Sequence, residues 1–216
     1  MDVTIGIVTF NQPQRTLIES LLRQLIGETA AVFGFTRRTE RGSQRLHTIR
    51  RGMSHHGEMT SRIRAHVLVV SDAAVQDPDE NRAAPVALQE LTRAGIEATS
   101  DVIAADPDAL RTALHASSAE VIITCGATGV RPHDIAPEVT RAELVTELPG
   151  ISEEIRRRGA SRVPYALASR GVCGVLPGPV VVLNAPGSRG GVRDAIAVLL
   201  EVLPDLWRDL TGAPRD

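Results

Sequence analysis

Lysine is absent from the 216 residues; all 24 basic side chains are arginine. That absence excludes a P-loop lysine, a Schiff-base lysine and any lysine general base. Phosphate charge, if this chain meets any, must be met by arginine, backbone N–H groups or a metal ion. Aromatic residues amount to 2%, so the core must be built from Val, Leu, Ile and Ala. The single Trp207 and Tyr165 are expected in that core, since they form no stacking ladder for bases. Two cysteines, Cys125 and Cys173, are too few for a disulfide framework and are expected as small buried hydrophobes in a reducing cytoplasm. No apolar run approaches the roughly 18 residues of a membrane span. The amino terminus lacks the pattern of a secretory signal. No membrane partner is expected, and a net charge of −2 gives no global reason to expect nucleic acid.

What is present is a 43% hydrophobic chain, enough for one domain, or one domain plus an extension. Charge is uneven along it. Residues 1–64 hold ten Arg against five acids, and residues 65–216 hold fourteen Arg against twenty-one acids. From Ala65 the pattern is regular. Buried strands are expected at 65–70, 96–104, 121–124 and 180–183. Helices are expected at 85–94, 107–116, 137–147, 151–158 and 192–203, several opening on proline. Alternation of strand and helix points to a mostly parallel sheet with helices on both faces. The last helix is apolar on more than one face, as an oligomer interface would be. Residues 1–58 are a basic extension: 3–10 alternates like a strand, 13–26 has helical spacing, and 31–35 is a second strand candidate. Residues 37–64 are Arg-, Gly- and His-rich and read as a linker. His55 and His56 lie there without further ligands, so a zinc site is not expected. One expectation is that the functional unit starts near Met59.

Ligands of open parallel sheets sit beyond the carboxyl ends of the strands. Four expected strand ends carry chemistry-bearing residues: Ser71-Asp72, Asp106, Gly126 to Asp134, and Asn184 to Ser188. Gly126-Ala-Thr-Gly129 offers backbone N–H groups at close approach and the Thr128 hydroxyl, as an anion cradle does; the alternative is a tight turn. Asp106 and Asp134 are candidate carboxylates for magnesium, which with a nucleotide takes one or two carboxylates plus phosphate oxygens. Asp106, just before Pro107, is equally a helix N-cap. Asn184-Ala-Pro-Gly-Ser188 precedes a helix and can present N–H groups and a hydroxyl to a phosphate, or can be a simple turn. Ser169 and Arg170 add a hydroxyl and a guanidinium able to bind phosphate bidentately. Arg156-Arg-Arg158 reads as a solvated helix face.

At these residues the chain resembles the MoaB/Mog family of molybdopterin-binding proteins, over residues 65–212. The shared elements are Ser71-Asp72, Gly126-Ala-Thr-Gly129, Asp134-Ile-Ala-Pro-Glu138, Leu148-Pro-Gly150, Ser169-Arg170 with Gly174 close behind, and Ala185-Pro-Gly-Ser188. The resemblance implies a three-layer α/β/α fold and assembly as homotrimers or hexamers. It also implies transfer of AMP from Mg-ATP to the terminal phosphate of molybdopterin, with release of pyrophosphate. Asp106 and Asp134 would then position Mg2+. Gly126, Thr128, Gly129, Ser169, Pro186, Gly187 and Ser188 would contact the pterin phosphate. The chain departs from the family pattern at Ala127, the second residue of the turn, and at Ala136, where Thr caps the following helix. It departs again at Asp77, Asn81 and Ala83, where the family has Gly, Asp and Gly. These departures point to weakened or altered catalysis, and so to a second reading, a non-catalytic molybdopterin carrier or sensor with a degenerate site. A third is an interaction module in which the basic residues 1–64 dock an acidic partner or nucleic acid and the pterin pocket is vestigial.

Overall fold

A computed structural model of the chain describes residues 63–213. The expectations for residues 1–62, including the two strands, the first helix, His55-His56 and a start at Met59, lie outside the described residues. The last two residues assigned to the linker belong to the fold: Ile63 is buried, and Arg64 opens the first strand.

Among the described residues there are six strands and six helices, in largely alternating order. They are β1 (Arg64–Val70), α1 (Asp72–Gln76), α2 (Ala84–Arg93), β2 (Glu97–Ile103), α3 (Pro107–Ala116), β3 (Val121–Cys125), α4 (Ala136–Glu143), β4 (Thr146–Glu147), α5 (Pro149–Ala160), β5 (Cys173–Leu176), β6 (Val180–Ala185) and α6 (Arg189–Thr211). Two 3-10 turns, Pro78–Glu80 and Pro164–Ala168, complete the path. Helices α2 to α5 each carry proline in their first turn, where the missing N–H has no partner to lose.

The strands form one sheet in the order β2-β1-β3-β6-β5-β4. Pairings β1–β2, β1–β3 and β3–β6 are parallel, and β4–β5 and β5–β6 are antiparallel. The sheet is thus mostly parallel, as expected, with an antiparallel edge that the sequence did not announce. Strand periodicity sorts the core onto its two faces. Val67, Val69, Val121, Ile123, Val181 and Leu183 pack with residues of α2, α5 and α6. Leu68, Val70, Ile122 and Val182 pack with Leu110 and Leu114 of α3 and Val139 of α4. Three layers result. Each fully buried Leu or Ile contributes about 1.5–3 kcal/mol by leaving water.

Several boundaries differ from expectation. The helix expected over 137–147 stops at Glu143, because the Val145 N–H is taken by the Val175 carbonyl at 2.9 Å and the chain turns into the edge strand β4. Pro149-Gly150, expected to end that helix, instead begins α5. The last helix runs through the buried Pro204 to Thr211, because Leu206, Trp207 and Leu210 lie against the core, and Gly212 closes it at φ 68°. Most apolar residues of α6 are covered within the chain: Val192, Ala195, Ile196, Val198, Leu199 and Leu203 are buried, while Val202 is 37% exposed. Trp207 is packed on the core as expected, whereas Tyr165 is 70% exposed. No described helix is long and apolar enough to cross a membrane.

The topology fixes where a ligand can sit. From β1 the chain goes out through α2 to β2, then crosses back through α3, on the opposite face, to β3 on the other side of β1. The crevice beyond β1 and β3 is thus the topological switch point of the sheet. Ser71-Asp72, Asp106, Gly126 and Pro186 follow the ends of the four mutually parallel strands, at one edge of the sheet.

Candidate active site

The turn after β3 is shaped by close packing. Gly126 adopts φ 102°, and a Cβ on it would stand 2.7 Å from the Val70 carbonyl oxygen, so glycine is required there on two counts. Ala127 follows at φ 51°, a left-handed conformation that L-residues other than Asn and Asp seldom adopt. Gly187, in the turn after β6, approaches so closely that a Cβ would lie 3.2 Å from the Gly126 Cα. The two turns touch, and a cavity opens on either side of them.

One cavity, of about 350 Å³, occupies the switch-point crevice; Ser71, Asp72, Gly126, Arg131, Asp134 and Gly187 are in its wall. The other, also about 350 Å³, is walled by Thr128, Gly129, Ser169, Pro186, Ser188 and the first residues of α6. The expected site residues therefore gather as two adjoining groups, carboxylates in the first and hydroxyls in the second. Arg170 and Asp106 stand outside both.

In the first cavity, Asp72 Oδ1 accepts the Ala105 N–H at 2.8 Å, which ties the end of β1 to the loop after β2. Asp134 Oδ2 accepts the Arg131 N–H at 2.8 Å, while the Asp134 N–H returns to the Arg131 carbonyl at 2.9 Å. Each acid keeps its other oxygen without a protein partner. Ser71 caps α1, accepting the Ala74 N–H at 3.3 Å. Asp106 is the N-cap of α3: its Oδ1 accepts from Asp108 at 3.0 Å and Ala109 at 2.8 Å. It adjoins the cavity through Ala105, which lines it. Among the described residues no three His, Cys, Asp or Glu side chains cluster as a self-sufficient metal site. Two carboxylates with free oxygens fit magnesium brought in by a nucleotide, whose phosphates and water complete the shell.

In the second cavity, Thr128 is 6% exposed, and no protein group accepts or donates at its hydroxyl. Ser188 accepts the Gly191 N–H at 3.1 Å as the N-cap of α6. The 23-residue α6 points its amino end into this cavity through Gly190 and Gly191, an arrangement that favours an anion. The expectation for Asn184 does not hold. Strand β6 extends to Ala185, so Asn184 is 3% exposed in its interior. Its Nδ2 donates to Thr124 at 2.9 Å and Thr140 at 2.8 Å, and its Oδ1 accepts the Val172 N–H at 3.2 Å. This pins β3, α4 and the segment before β5 beneath the site. The Asn-to-strand context was the only signal available in sequence.

Arg170, expected to grip phosphate, is committed to protein. Its Nε donates to the Gly129 carbonyl at 2.6 Å, one terminal nitrogen to the Asp134 carbonyl at 2.6 Å, and the other to the Glu138 carboxylate. The expected solvated face of Arg156-Arg-Arg158 is likewise engaged. Arg156 donates to the carbonyls of Ser169 and Gly171. Arg157 and Arg158 hold Glu154, whose pKa their hydrogen bonds pull down to about 2, and Arg158 also pairs with Glu201 of α6. Asn81, lacking the charge of the family's Asp, accepts the Ala84 N–H at 3.1 Å ahead of α2, whose N-cap Ala83 has no capping side chain. Ala136, expected where a Thr would cap, is instead the first residue of α4: the N-cap is Ile135, which has no capping side chain, and the Ala136 N–H donates to the Ala127 carbonyl at 3.0 Å. Burial pushes the thiols of Cys125 and Cys173 up to about 12, so neither is a nucleophile in the folded chain.

Residues 66–205 match the family model described as "Probable molybdopterin binding domain". Among relatives, the chain is 32% identical over 144 residues to the molybdenum cofactor synthesis protein cinnamon of Drosophila melanogaster, covering 64% of this chain and 24% of that protein. It is 27% identical over 152 residues to the molybdopterin adenylyltransferase of Pyrococcus furiosus, covering 67% and 89%. The chain spans from about a quarter to about half the length of the first curated relatives it matches. Among solved structures, the Mog protein of Mycobacterium ulcerans superimposes with a TM-score of 0.63 at 36% identity, covering 68% of this chain and 99% of that one. The molybdopterin biosynthesis enzyme MoaB of Thermus thermophilus gives 0.62 at 32%, covering 71% and 99%. A family model matched over residues 66–205, well over half of the chain, together with solved neighbours that share the fold at 32% and 36% identity, shows that the chain belongs to the MoaB/Mog family of molybdopterin-binding domains.

Proposed function

We propose that this chain is a molybdopterin adenylyltransferase of molybdenum cofactor synthesis. The observation that carries the proposal is the meeting of two cavities at the Gly126–Gly187 contact, one bearing Asp72 and Asp134, the other bearing Thr128, Ser188 and the amino end of α6. The first suits the phosphates of Mg-ATP, the second a phosphorylated pterin. A terminal phosphate oxygen of molybdopterin attacks the α-phosphorus of ATP. The bond from that phosphorus to the α,β-bridging oxygen breaks, and pyrophosphate departs with the electron pair. No covalent enzyme intermediate is needed, in keeping with the buried, protonated thiols. The chain's task is positioning. Thr128 and the α6 amino end hold the attacking phosphate, and the left-handed turn at 126–127 keeps backbone close to both substrates. Asp134 and Asp72, with Asp106 as a third candidate, would hold Mg2+, which would supply neutralisation of phosphate charge. The catalytic domain in this reading is residues 65–212, with 1–58 an extension of separate role; it works in the cytoplasm as a homotrimer or hexamer. The test is pyrophosphate release from Mg-ATP with and without molybdopterin, with Asp134→Ala as the comparison. Release that does not depend on molybdopterin, or that survives Asp134→Ala unchanged, overturns the proposal.

Two observations favour a second reading. Ala127 stands in the wall of the first cavity, and the Asp106 carboxylate is spent in part on capping. A non-catalytic carrier or sensor would bind molybdopterin tightly and release no pyrophosphate in the same assay.

A further inference from the structure

Arg170 hangs the loop Gly129–Asp134 from a single guanidinium: its nitrogens hold the carbonyls at both ends of the loop and the Glu138 carboxylate beyond it. Its own backbone N–H donates to the Thr128 carbonyl at 2.8 Å. All three guanidinium nitrogens face protein, and Arg170 lines neither cavity of the proposed site. Between the two pinned ends stand Arg131 and His133. Both are exposed and both line the carboxylate cavity beside Asp72 and Asp134.

Their side chains are unengaged. Among the described residues, every arginine side chain except those of Arg131 and Arg189 donates to a carboxylate or a carbonyl. Of these two only Arg131 lines the carboxylate cavity. A polyanion entering that cavity meets the carboxylates of Asp72, Asp134 and Glu80, and Arg82 is already paired with Glu80 at 3.2 Å. Beyond any magnesium the nucleotide brings, a free cationic side chain is needed there to offset the like charge of the remaining phosphate oxygens. Arg131 is that cation, and lysine is not available anywhere in the chain.

We propose that Arg131, assisted by a ring N–H of His133, binds the polyphosphate of the nucleotide, and that Arg170 is a positioning residue that aims the loop without touching substrate. The identity of the anion rests on the adenylyl-transfer reading; the site itself requires only a polyphosphate.

The test uses the full chain and two probes, inorganic tripolyphosphate and Mg-ATP, with affinity read by calorimetry. Arg131→Gln is expected to weaken both by about ten- to a hundredfold, the equivalent of one charge-assisted hydrogen bond. Arg131→Lys is expected to recover most of that loss. Arg93→Gln, at the far end of α2, is the control and is expected to change nothing. Arg170→Lys keeps the charge but cannot reach two carbonyls and a carboxylate together. If it acts through Arg131, it adds no further loss in the Arg131→Gln background. Additive losses would make Arg170 a direct ligand and overturn its part. Should Arg170→Lys fail to fold by circular dichroism, the exposed Arg131 variants still decide the cation. Unchanged affinity in Arg131→Gln overturns the proposal even where AMP transfer is intact. Arg131-dependent tripolyphosphate binding without pyrophosphate release upholds it while sinking the adenylyltransferase reading.

Discussion

The carboxylate of Asp134 occupies the space where a side chain on Gly129 would have to go: a Cβ there would stand 2.6 Å from Asp134 Oδ2. Gly129 has an ordinary negative φ, so the need for glycine is steric rather than conformational. Gly129→Ala is therefore expected to displace Asp134 while leaving the fold in place. Displacements of this size in a positioned group cost about a hundredfold in rate. Steady-state pyrophosphate release and a melting curve check this together. A variant that melts early and keeps its rate would show that Asp134 positions nothing.

Asn184 gives a prediction about stability. Asn184→Ala removes both donors to Thr124 and Thr140 and the acceptor for Val172, leaving a buried N–H and a void between β3 and α4. The expected loss is about 3 kcal/mol, the sum of an unsatisfied group and a small cavity. Thr124→Val strands only one Asn184 hydrogen and should cost about half as much. Urea unfolding of the two variants tests the ranking, and equal losses would count against a shared network.

Much of this fold is legible in the sequence where one physical signal dominates. The runs Val67–Val70, Val121–Ile123 and Val181–Leu183 are strands because they are buried on both faces, and the prolines at 85, 107 and 137 mark first helical turns. The antiparallel edge is not legible. Strand β5 has four residues, one of them Gly174, next to a Pro-Gly-Pro turn, and its pairing to β6 is a tertiary event with no local pattern. Glu143 to Glu147 looks helical by spacing until Val175 takes the Val145 N–H. At the site, the gathering of strand ends follows from the parallel topology. The role of Arg170 does not, because the carbonyls it holds belong to residues 36 and 41 positions away. Spacing identifies a guanidinium near a loop, and only coordinates show whether its donors are free.

Ala127 at φ 51° bears on both stability and family comparison. Glycine in its place relieves left-handed strain of about 1 kcal/mol but costs a similar amount in unfolded-state entropy and forfeits the methyl contact with the α3–α4 side of the core. Ala127→Gly is therefore expected to leave stability within about 1 kcal/mol. Ala127→Val, β-branched at positive φ, should lose about 2 kcal/mol or more. Chemical denaturation of the pair measures the difference. Equal stability of the Gly and Val variants would mean that residue 127 is not held in the left-handed region.

Acid behaviour follows from Glu154, Arg157, Arg158 and Glu201, which bridge α5 and α6. Hydrogen bonds from Arg157 and then Arg158 hold the Glu154 pKa at about 2, against 4.5 for a free glutamate. Glu201 is lowered as well, by its hydrogen bond from Arg158. A depressed carboxylate contributes stability that is present in full above the unfolded value and fades as pH falls toward the folded one. Between about pH 4.5 and 2 the unfolded chain binds the extra proton, so melting temperature should rise with pH across that window. Glu154→Gln removes this titration and is expected to flatten the slope there, so that the two proteins converge near pH 2 and the variant melts lower above about pH 4.5, by a margin that solvent screening keeps small. Added salt should shrink the difference between the two proteins. Melting curves from pH 2.5 to 7 at low and high ionic strength decide the matter, and parallel profiles for wild type and Glu154→Gln would show that this bridge carries no pH-dependent stability.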